Sequence, residues 1–442
     1  MSGPTTTMLP SANRTSIGAR IRSYSLWIGA GIVLLILPVV FPSGTAHTTM
    51  CLMAIMIVFA LSYNLLLGQT GMLSFGHAVY YGMAAFVTAH AMNWVVRNGA
   101  PIPLPLIPLV GGLAGLFFGI VFGSVSTKRG GTAFAMISLG LAELVASSSL
   151  VLRSFFGGDE GISTNRTKLL TMFGWDFGPQ IQVYYLIAAW CLLCMILMYA
   201  ITRTPLGRMC NAVRENPERV EFVGYNPQTV RFIAFSFAGL FAGIAGSLAA
   251  INFELATSGD VGIGRSGVVL LAAYIGGVGF FVGPILGAIL VTLLSLRLSD
   301  VSEIWQLYFG LLFIGMIIFS PGGLSGLLMR HAPLWRGPLG IRLAGFGKLL
   351  LSYLIALIPA LVMIAGAVLL VEMVHHVAQK TAEGPTMHFL RQNAWTIDTR
   401  SYTPWIAGIV MTIGGFYLFR MTWPIIERAW NDAAAQTRRG AV

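Results

Sequence analysis

Apolar runs long enough to cross a lipid bilayer recur along this chain from Ser25 to Phe419. A helix needs roughly 20 apolar residues to span the hydrocarbon core, and in lipid only helices and closed barrels satisfy every backbone N–H and C=O. The runs are continuous and do not alternate, so they predict helices and not barrel strands. The 442 residues are 56% hydrophobic and 10% charged, which excludes an ordinary soluble domain. The expected fold class is all-α: a polytopic transmembrane helical bundle with about ten core helices plus two C-terminal extra helices. The predicted spans are 25–42, 48–67, 77–96, 104–126, 132–152, 181–201, 231–253, 267–280, 284–299, 304–320, 349–371 and 404–420. Between the eighth and ninth, "GGVGFFVGP" (Gly276–Pro284) reads either as a tight turn or as a break inside a re-entrant segment.

The net charge of +11 would suggest nucleic acid in a soluble chain. Here the retention of Lys and Arg on the cytoplasmic face explains it, and no nucleic-acid partner is expected. With the N-terminus inside, 18 of the 27 basic residues fall in cytoplasmic segments. An even number of spans then leaves both termini cytoplasmic. The first run follows Arg14, Arg20 and Arg22; its length makes it a signal-anchor helix in preference to a cleaved signal peptide. Cys191 and Cys194 form a C-x-x-C inside an apolar helix, where packing outweighs redox or metal chemistry. The sequence contains no G-x-x-x-x-G-K-[ST], H-E-x-x-H or G-x-S-x-G, so no local motif supports an enzyme, a metal or a cofactor.

Four features stand out from the apolar background. Gly111, Gly115, Gly119 and Gly123 lay a smooth stripe along the fourth span, and Gly239 and Gly243 do the same in the seventh, so close helix packing is expected. "LLLGQTGMLSFGHAVYYGMAAF" (Leu65–Phe86) interrupts the pattern with glycines and polar residues where two spans meet. It is either an ordinary cytoplasmic turn or a break at membrane depth. In the second case Gln69, Ser74 and His77 lie on a pathway, and the helix beginning near His77 favours an anionic group such as a carboxylate. Glu143 is a carboxylate deep in the fifth span; it either serves the pathway or pairs with a polar group on a partner subunit. "RENPERVEFVGYNP" (Arg214–Pro227) puts five charges into fourteen residues, which suits a docking surface for a soluble cytoplasmic partner.

"GQTGMLSFGHAVYYGMAAF", "GTAFAMISLGLAEL", "GGDEGIS", "TPLGRMCNAVRENPERVEFVGYNPQTVRFIAFSFAGLFAGIAGSL", "GGVGFFVGPILGA" and "FSPGGLSGLL" follow one another in this order. The series resembles LivM-type permeases, membrane subunits of ABC importers for branched-chain amino acids, over roughly residues 48 to 328. The resemblance implies a bacterial inner-membrane permease for leucine, isoleucine and valine, paired with a LivH-like second permease subunit as a heterodimer. It further implies two cytoplasmic ATP-binding subunits and an extracytoplasmic substrate-binding protein. "ERVEFVG" (Glu218–Gly224) is similar to the coupling-loop pattern of such permeases, with Arg219 and Val220 where the broader pattern has alanines. By that resemblance Arg214, Glu215, Glu218, Glu221 and Gly224 transmit ATPase closure to the bundle, and Asp159 and Glu160 lie where the binding protein docks. Close relatives move urea or short amides, which stays an alternative. An ion-coupled secondary transporter is disfavoured because it would bury several ionisable groups.

The expected organisation is a cytoplasmic N-terminal segment 1–24, a permease domain 25–328 with a cytoplasmic coupling loop 202–230, a linker 329–348 and a C-terminal extension 349–442. The extension reads as two spans around an outer loop, 372–403, with a peripheral role.

Overall fold

The computed structural model describes residues 17–171, 174–332, 339–379, 386–389 and 395–439. Sixteen helices occur among them: α1 (Ile17–Val40), α2 (Gly44–Thr70), α3 (Ala78–Asn98), α4 (Ile107–Ser126), α5 (Gly131–Val151), α6 (Arg153–Phe156), α7 (Gln180–Arg203) and α8 (Pro205–Glu215) come first. They are followed by α9 (Pro217–Phe222), α10 (Pro227–Phe253), α11 (Ile263–Gly276), α12 (Gly283–Val301), α13 (Trp305–Phe319), α14 (Gly323–His331), α15 (Leu339–Ala378) and α16 (Tyr402–Arg439). Every predicted span falls on a helix, the eighth ending four residues earlier than expected, at Gly276, and the chain is a polytopic helical bundle. Among the described residues eight helices are long and apolar enough to cross a membrane, or nine if α13 and α14, bent by 44°, form one span. The chain divides into two compact units, Met1–Ala273 with Gly287–Thr292, and Tyr274–Leu286 with Leu293–Val442.

In the first unit α2 and α10 are the most enclosed helices. Both are apolar all round with no polar stripe, which is the pattern of a helix surrounded by others. The two glycine stripes face each other. A Cβ at Gly115 would overlap the carbonyl oxygen of Gly239, and one at Gly243 would overlap the carbonyl oxygen of Gly111. Only hydrogen at these positions lets α4 and α10 meet backbone to backbone. At the end of the unit reached by the C-terminus of α10, β1 (Ile162–Ser163) pairs antiparallel with β2 (Leu255–Ala256), Ile162 opposite Ala256.

In the second unit "GGVGFFVGP" is a tight turn between α11 and α12, closed by hydrogen bonds from Phe280 N to Gly277 O and from Gly283 N to Phe280 O. A Cβ at Gly277 would overlap the Gly322 carbonyl oxygen, so this turn sits directly on the one before α14. Helices α15 and α16 form an antiparallel hairpin that is close-packed at small residues, Gly366 against Thr412 and Gly415 against Met363. β3 (Thr386–Phe389) and β4 (Trp395–Asp398) pair at its tip, Thr386 opposite Asp398. Helix α15 runs seven residues past the predicted end at 371, because nothing in "EMVHHVA" stops a helix. Glu372, His375 and His376 are therefore helical and not loop residues. The Glu372 carboxylate accepts hydrogen bonds from Ser302 Oγ at 2.5 Å and Tyr308 Oη at 2.8 Å, and so ties the hairpin to α12 and α13. Lys380, Glu383 and Arg391 of the predicted outer loop lie outside the described residues.

Candidate functional site

The charged island folds because three helices in a row begin with a polar cap followed by proline. Thr204, Asn216 and Asn226 accept backbone N–H groups with their side chains, and Pro205, Pro217 and Pro227 occupy the first helical positions. A proline there loses no hydrogen bond and presets φ. The short α9 is held by Val220, which is buried with Cys210, Val213, Val230 and Ala234. Burial pushes the Cys210 thiol up to about 11. Gly224 has φ +93°, a conformation that most side chains disfavour. Its N–H donates to Glu221 O, and the next N–H, of Tyr225, returns to Val220 O.

This frame presents Glu215, Glu218 and Glu221 to solvent. It also presents Phe222 at 91% exposure, with Val223 and Tyr225 beside it. The charges of the island are plain in the sequence; the apolar knob is a feature of the fold. "EFVGY" carried the signal, since three large apolar residues around a glycine turn cannot all face inward. An exposed apolar cluster of this kind suits contact with a protein or a membrane surface.

The island is fastened to the broken segment. Arg214 donates from Nη1 to the carbonyl oxygen of Gly68, and Asn211 Nδ2 donates to Gln69 Oε1 at 3.1 Å. Beyond Thr70 the chain turns through Gly71, φ +70°, and runs back along α2 as an irregular segment. Tyr63 Oη donates to Ser74 O at 3.0 Å, and His77 Nε2 lies 2.9 Å from Ser62 Oγ. The His77 ring stacks on Phe59. Ser62 stands about 12 Å back from the Thr70 end of α2 at 1.5 Å per residue, so α3 begins within the length of α2 and not at its end. In this conformation Ser74 and His77 are buried, and Gln69 is partly exposed. Ser74 Oγ and His77 Nδ1 have no hydrogen-bond partner.

A second re-entrant segment descends from the opposite end, past β2 and through 257–262. There Asp260 accepts from Thr257 N at 3.2 Å and Thr257 Oγ1 at 3.1 Å. The segment lies on α3, where a Cβ at Gly82 would stand 2.8 Å from the Asp260 carbonyl oxygen. It delivers the N-terminus of α11 to the N-terminus of α3: Ala78 N donates to Ser266 Oγ at 3.0 Å. Helix α11 begins at Ile263, four residues before the predicted span. Arg265 is thereby moved from a predicted outer loop into the bundle, and sequence reasoning missed it.

At the β1–β2 end, Asp159 and Glu160 sit exposed on a 3₁₀ turn. Gly157, Gly158 and Gly161 around them all have positive φ, and a Cβ at Gly161 would overlap the carbonyl oxygen of Ala256. The turn is thus a rigid mount for two carboxylates. Arg166 braces the same end, donating to the carbonyls of Phe177 at 2.9 Å and Asn252 at 3.0 Å. Glu143 stands apart from all of these, exposed on the outward face of α5.

The comparisons with known proteins agree with this architecture. The family model described as branched-chain amino acid transport system / permease component matches residues 46–321. The chain is 28% identical over 317 residues to the high-affinity branched-chain amino acid transport system permease protein LivM of Escherichia coli, covering 66% of this chain and 73% of that protein. It is 22% identical over 282 residues to BraD of Pseudomonas aeruginosa, with the same high-affinity branched-chain description, covering 61% of this chain and 91% of that one. The fructose import permease protein FrcC of Rhizobium meliloti is 28% identical over 237 residues, half of this chain and 63% of its own. No solved structure matches.

Proposed function

The chain belongs to the family of branched-chain amino acid transport system permease components, and on that premise we propose that it is the membrane-spanning permease subunit of an ABC importer for leucine, isoleucine and valine. It works as a heterodimer with a LivH-like permease in a bacterial inner membrane, with both termini cytoplasmic. Two cytoplasmic subunits hydrolyse the ATP, so this chain moves substrate and catalyses no bond change. An extracytoplasmic binding protein delivers the amino acid to the end that carries Asp159 and Glu160.

The observation that carries the reading is the fastening of α8 to the broken segment through Arg214 and Gly68. A soluble partner that grips α9 and its Phe222 knob pulls on α8, which shares the buried cluster of Cys210, Val213 and Val220 with α9. Arg214 and Asn211 pass that pull to Gly68 and Gln69, where the backbone leaves the helix. Glu218 in the first turn of α9, together with Glu215, Glu221 and the Gly224 turn, shapes the grip. The pathway then includes Gln69, Ser74 and His77, with Glu143 meeting the partner permease. The test is ATP-driven uptake of labelled leucine by proteoliposomes holding the purified complex and its binding protein. Accumulation that requires both ATP and the binding protein is expected. Retention of urea or an amide, and no amino acid, by the binding protein would overturn the substrate assignment.

A further inference from the structure

Arg265 has no ion-pair partner in this chain among the described residues, where the one salt bridge is Arg166–Glu254. Its Nη2 donates to Tyr81 Oη at 2.6 Å, and its guanidinium lies 4.9 Å from the centre of the same ring. Its Nε is buried and has no acceptor. Asp260 is near in sequence, yet its carboxylate is held by Thr257. Asp260 is close enough to act on the guanidinium through space, but no carboxylate among the described residues touches it, and Tyr81 is a neutral acceptor.

The position is deep. The carbonyl oxygen of Tyr81 presses on Gly246 of α10, about 10 Å from the Phe253 end at 1.5 Å per residue. The Tyr81 ring packs on Phe59 of α2 at 4.7 Å, about 16 Å from the Thr70 end by the same rise. A cation at such depth is costly and persists where it meets a counter-charge or serves a substrate. Two helix N-termini, those of α3 and α11, converge beside it, and each adds partial positive charge. Discontinuous helices that aim their N-termini at one point suit the capture of an anionic substrate group. Buried atoms of α2 and of the broken segment that leads to α3 also lack partners: Asn64 Oδ1, Ser74 Oγ and His77 Nδ1, on side chains that are at most 3% exposed.

We infer that Arg265, at the meeting point of the two re-entrant segments, binds the carboxylate of the transported substrate in transit. A guanidinium offers a planar pair of N–H donors that matches a carboxylate. Nε and a terminal nitrogen form that pair here, with Tyr81 as the group that orients it. The amino acid side chain is not read by this contact; the site asks for a small carboxylate. The inference rests on the amino-acid permease reading, and its test separates the two.

Arg265→Gln and Arg265→Lys are placed in the full complex, and three quantities are measured: recovery of the partner subunits, ATPase stimulation by leucine-loaded binding protein, and uptake of labelled leucine. In Arg265→Gln, assembly and stimulated ATPase are expected to stay within about twofold, while uptake falls at least ~10-fold, the loss of one charge-assisted hydrogen bond. Arg265→Lys is expected to recover part of that uptake, because the charge returns without the fork. Uptake by an assembled Arg265→Gln complex at the wild-type rate overturns the inference. Loss of the partner permease from that variant also overturns it, since the counter-charge would then belong to the partner. So does an equal fall of ATPase and uptake that lysine does not relieve, which marks a scaffold role. A wild-type complex that imports no amino acid would sink the family-based substrate reading itself.

Discussion

Arg214 donates its guanidinium to the carbonyl oxygen of Gly68, joining the charged loop to the last helical turn before the chain breaks. A carbonyl near a helix C-terminus lacks an intrahelical donor, and a cation there also meets the negative end of the helix dipole. One side chain therefore caps α2 and tethers α8.

Arg214→Ala removes both effects. A hydrogen bond to a charged group contributes roughly 1.5–3 kcal/mol, so coupling of ATP hydrolysis to uptake is expected to weaken by about tenfold or more, with the ATPases still bound. The ratio of ATP hydrolysed to leucine imported measures it. An unchanged ratio would show that the tether carries no load.

The exposed face of α9 separates gripping from transmission. Phe222→Asp is expected to reduce recovery of the ATP-binding subunits on affinity purification, because an apolar contact is replaced by a charge. Gly224→Val strains a turn at φ +93° by on the order of 1–3 kcal/mol, and is expected to leave the ATPases bound but uncoupled from uptake, as is Glu218→Lys. Normal transport by all three variants would remove α9 from the coupling path.

Accessibility of the broken segment distinguishes a working part from inert packing. Cysteine at Gln69 is expected to react with a small water-soluble thiol reagent in the resting complex, since the residue is partly exposed. Cysteines replacing Ser74 and His77, both buried, are expected to react only during ATP turnover. If neither reacts in any nucleotide state, the segment is sealed throughout the cycle.

Cys210 reports on the cluster beneath α9. With its thiol pushed up to about 11 by burial, the thiolate is scarce at neutral pH and alkylation is expected to be slow, rising steeply only towards pH 11. The sign for stability follows from the raised value: the folded state favours the neutral thiol. The contribution is complete below the ordinary thiol value of 9.0 and is lost as pH climbs through about 11. Rapid labelling of folded protein at pH 8 would mean that the cluster opens.

The helices were legible because lipid removes the ambiguity of amphipathic patterns: a run of apolar residues has one solution. Close packing at each glycine stripe was legible too, since glycines spaced by four have few other uses in a span, but that the two stripes face each other was not. Gly224 was singled out by the coupling-loop resemblance. Arg265 was not, because "VGIGRSG" is as glycine-rich as a loop and its helical start depends on packing against α3, which lies nearly two hundred residues earlier in the chain. The same reason hid the Arg214–Gly68 bond and the reach of Arg166 to Asn252, whose partners are remote in sequence. The end of α15 was set too early because a glutamate and two histidines look like a membrane exit. In the fold Ser302 and Tyr308 supply Glu372 with donors at that depth.

The backbone contact along the glycine stripes has a mechanical consequence. Ordinary helix pairs are separated by a layer of side chains that changes rotamer and lets one helix slide on the other. Between Gly111–Gly119 and Gly239–Gly243 no such layer exists, so α4 and α10 move as a single stiff rod. A disulfide placed across the pair should leave transport intact, and inhibition by it would show that the helices slide. The rod starts at Pro227, the residue that closes the charged loop, and α10 extends about 40 Å from there at 1.5 Å per residue. A small tilt imposed at the Pro227 end becomes a larger sweep at Phe253, beside the strand pair that holds Asp159 and Glu160 in place. With no cushioning along its length, the pair works as a lever whose stroke is set by its own length.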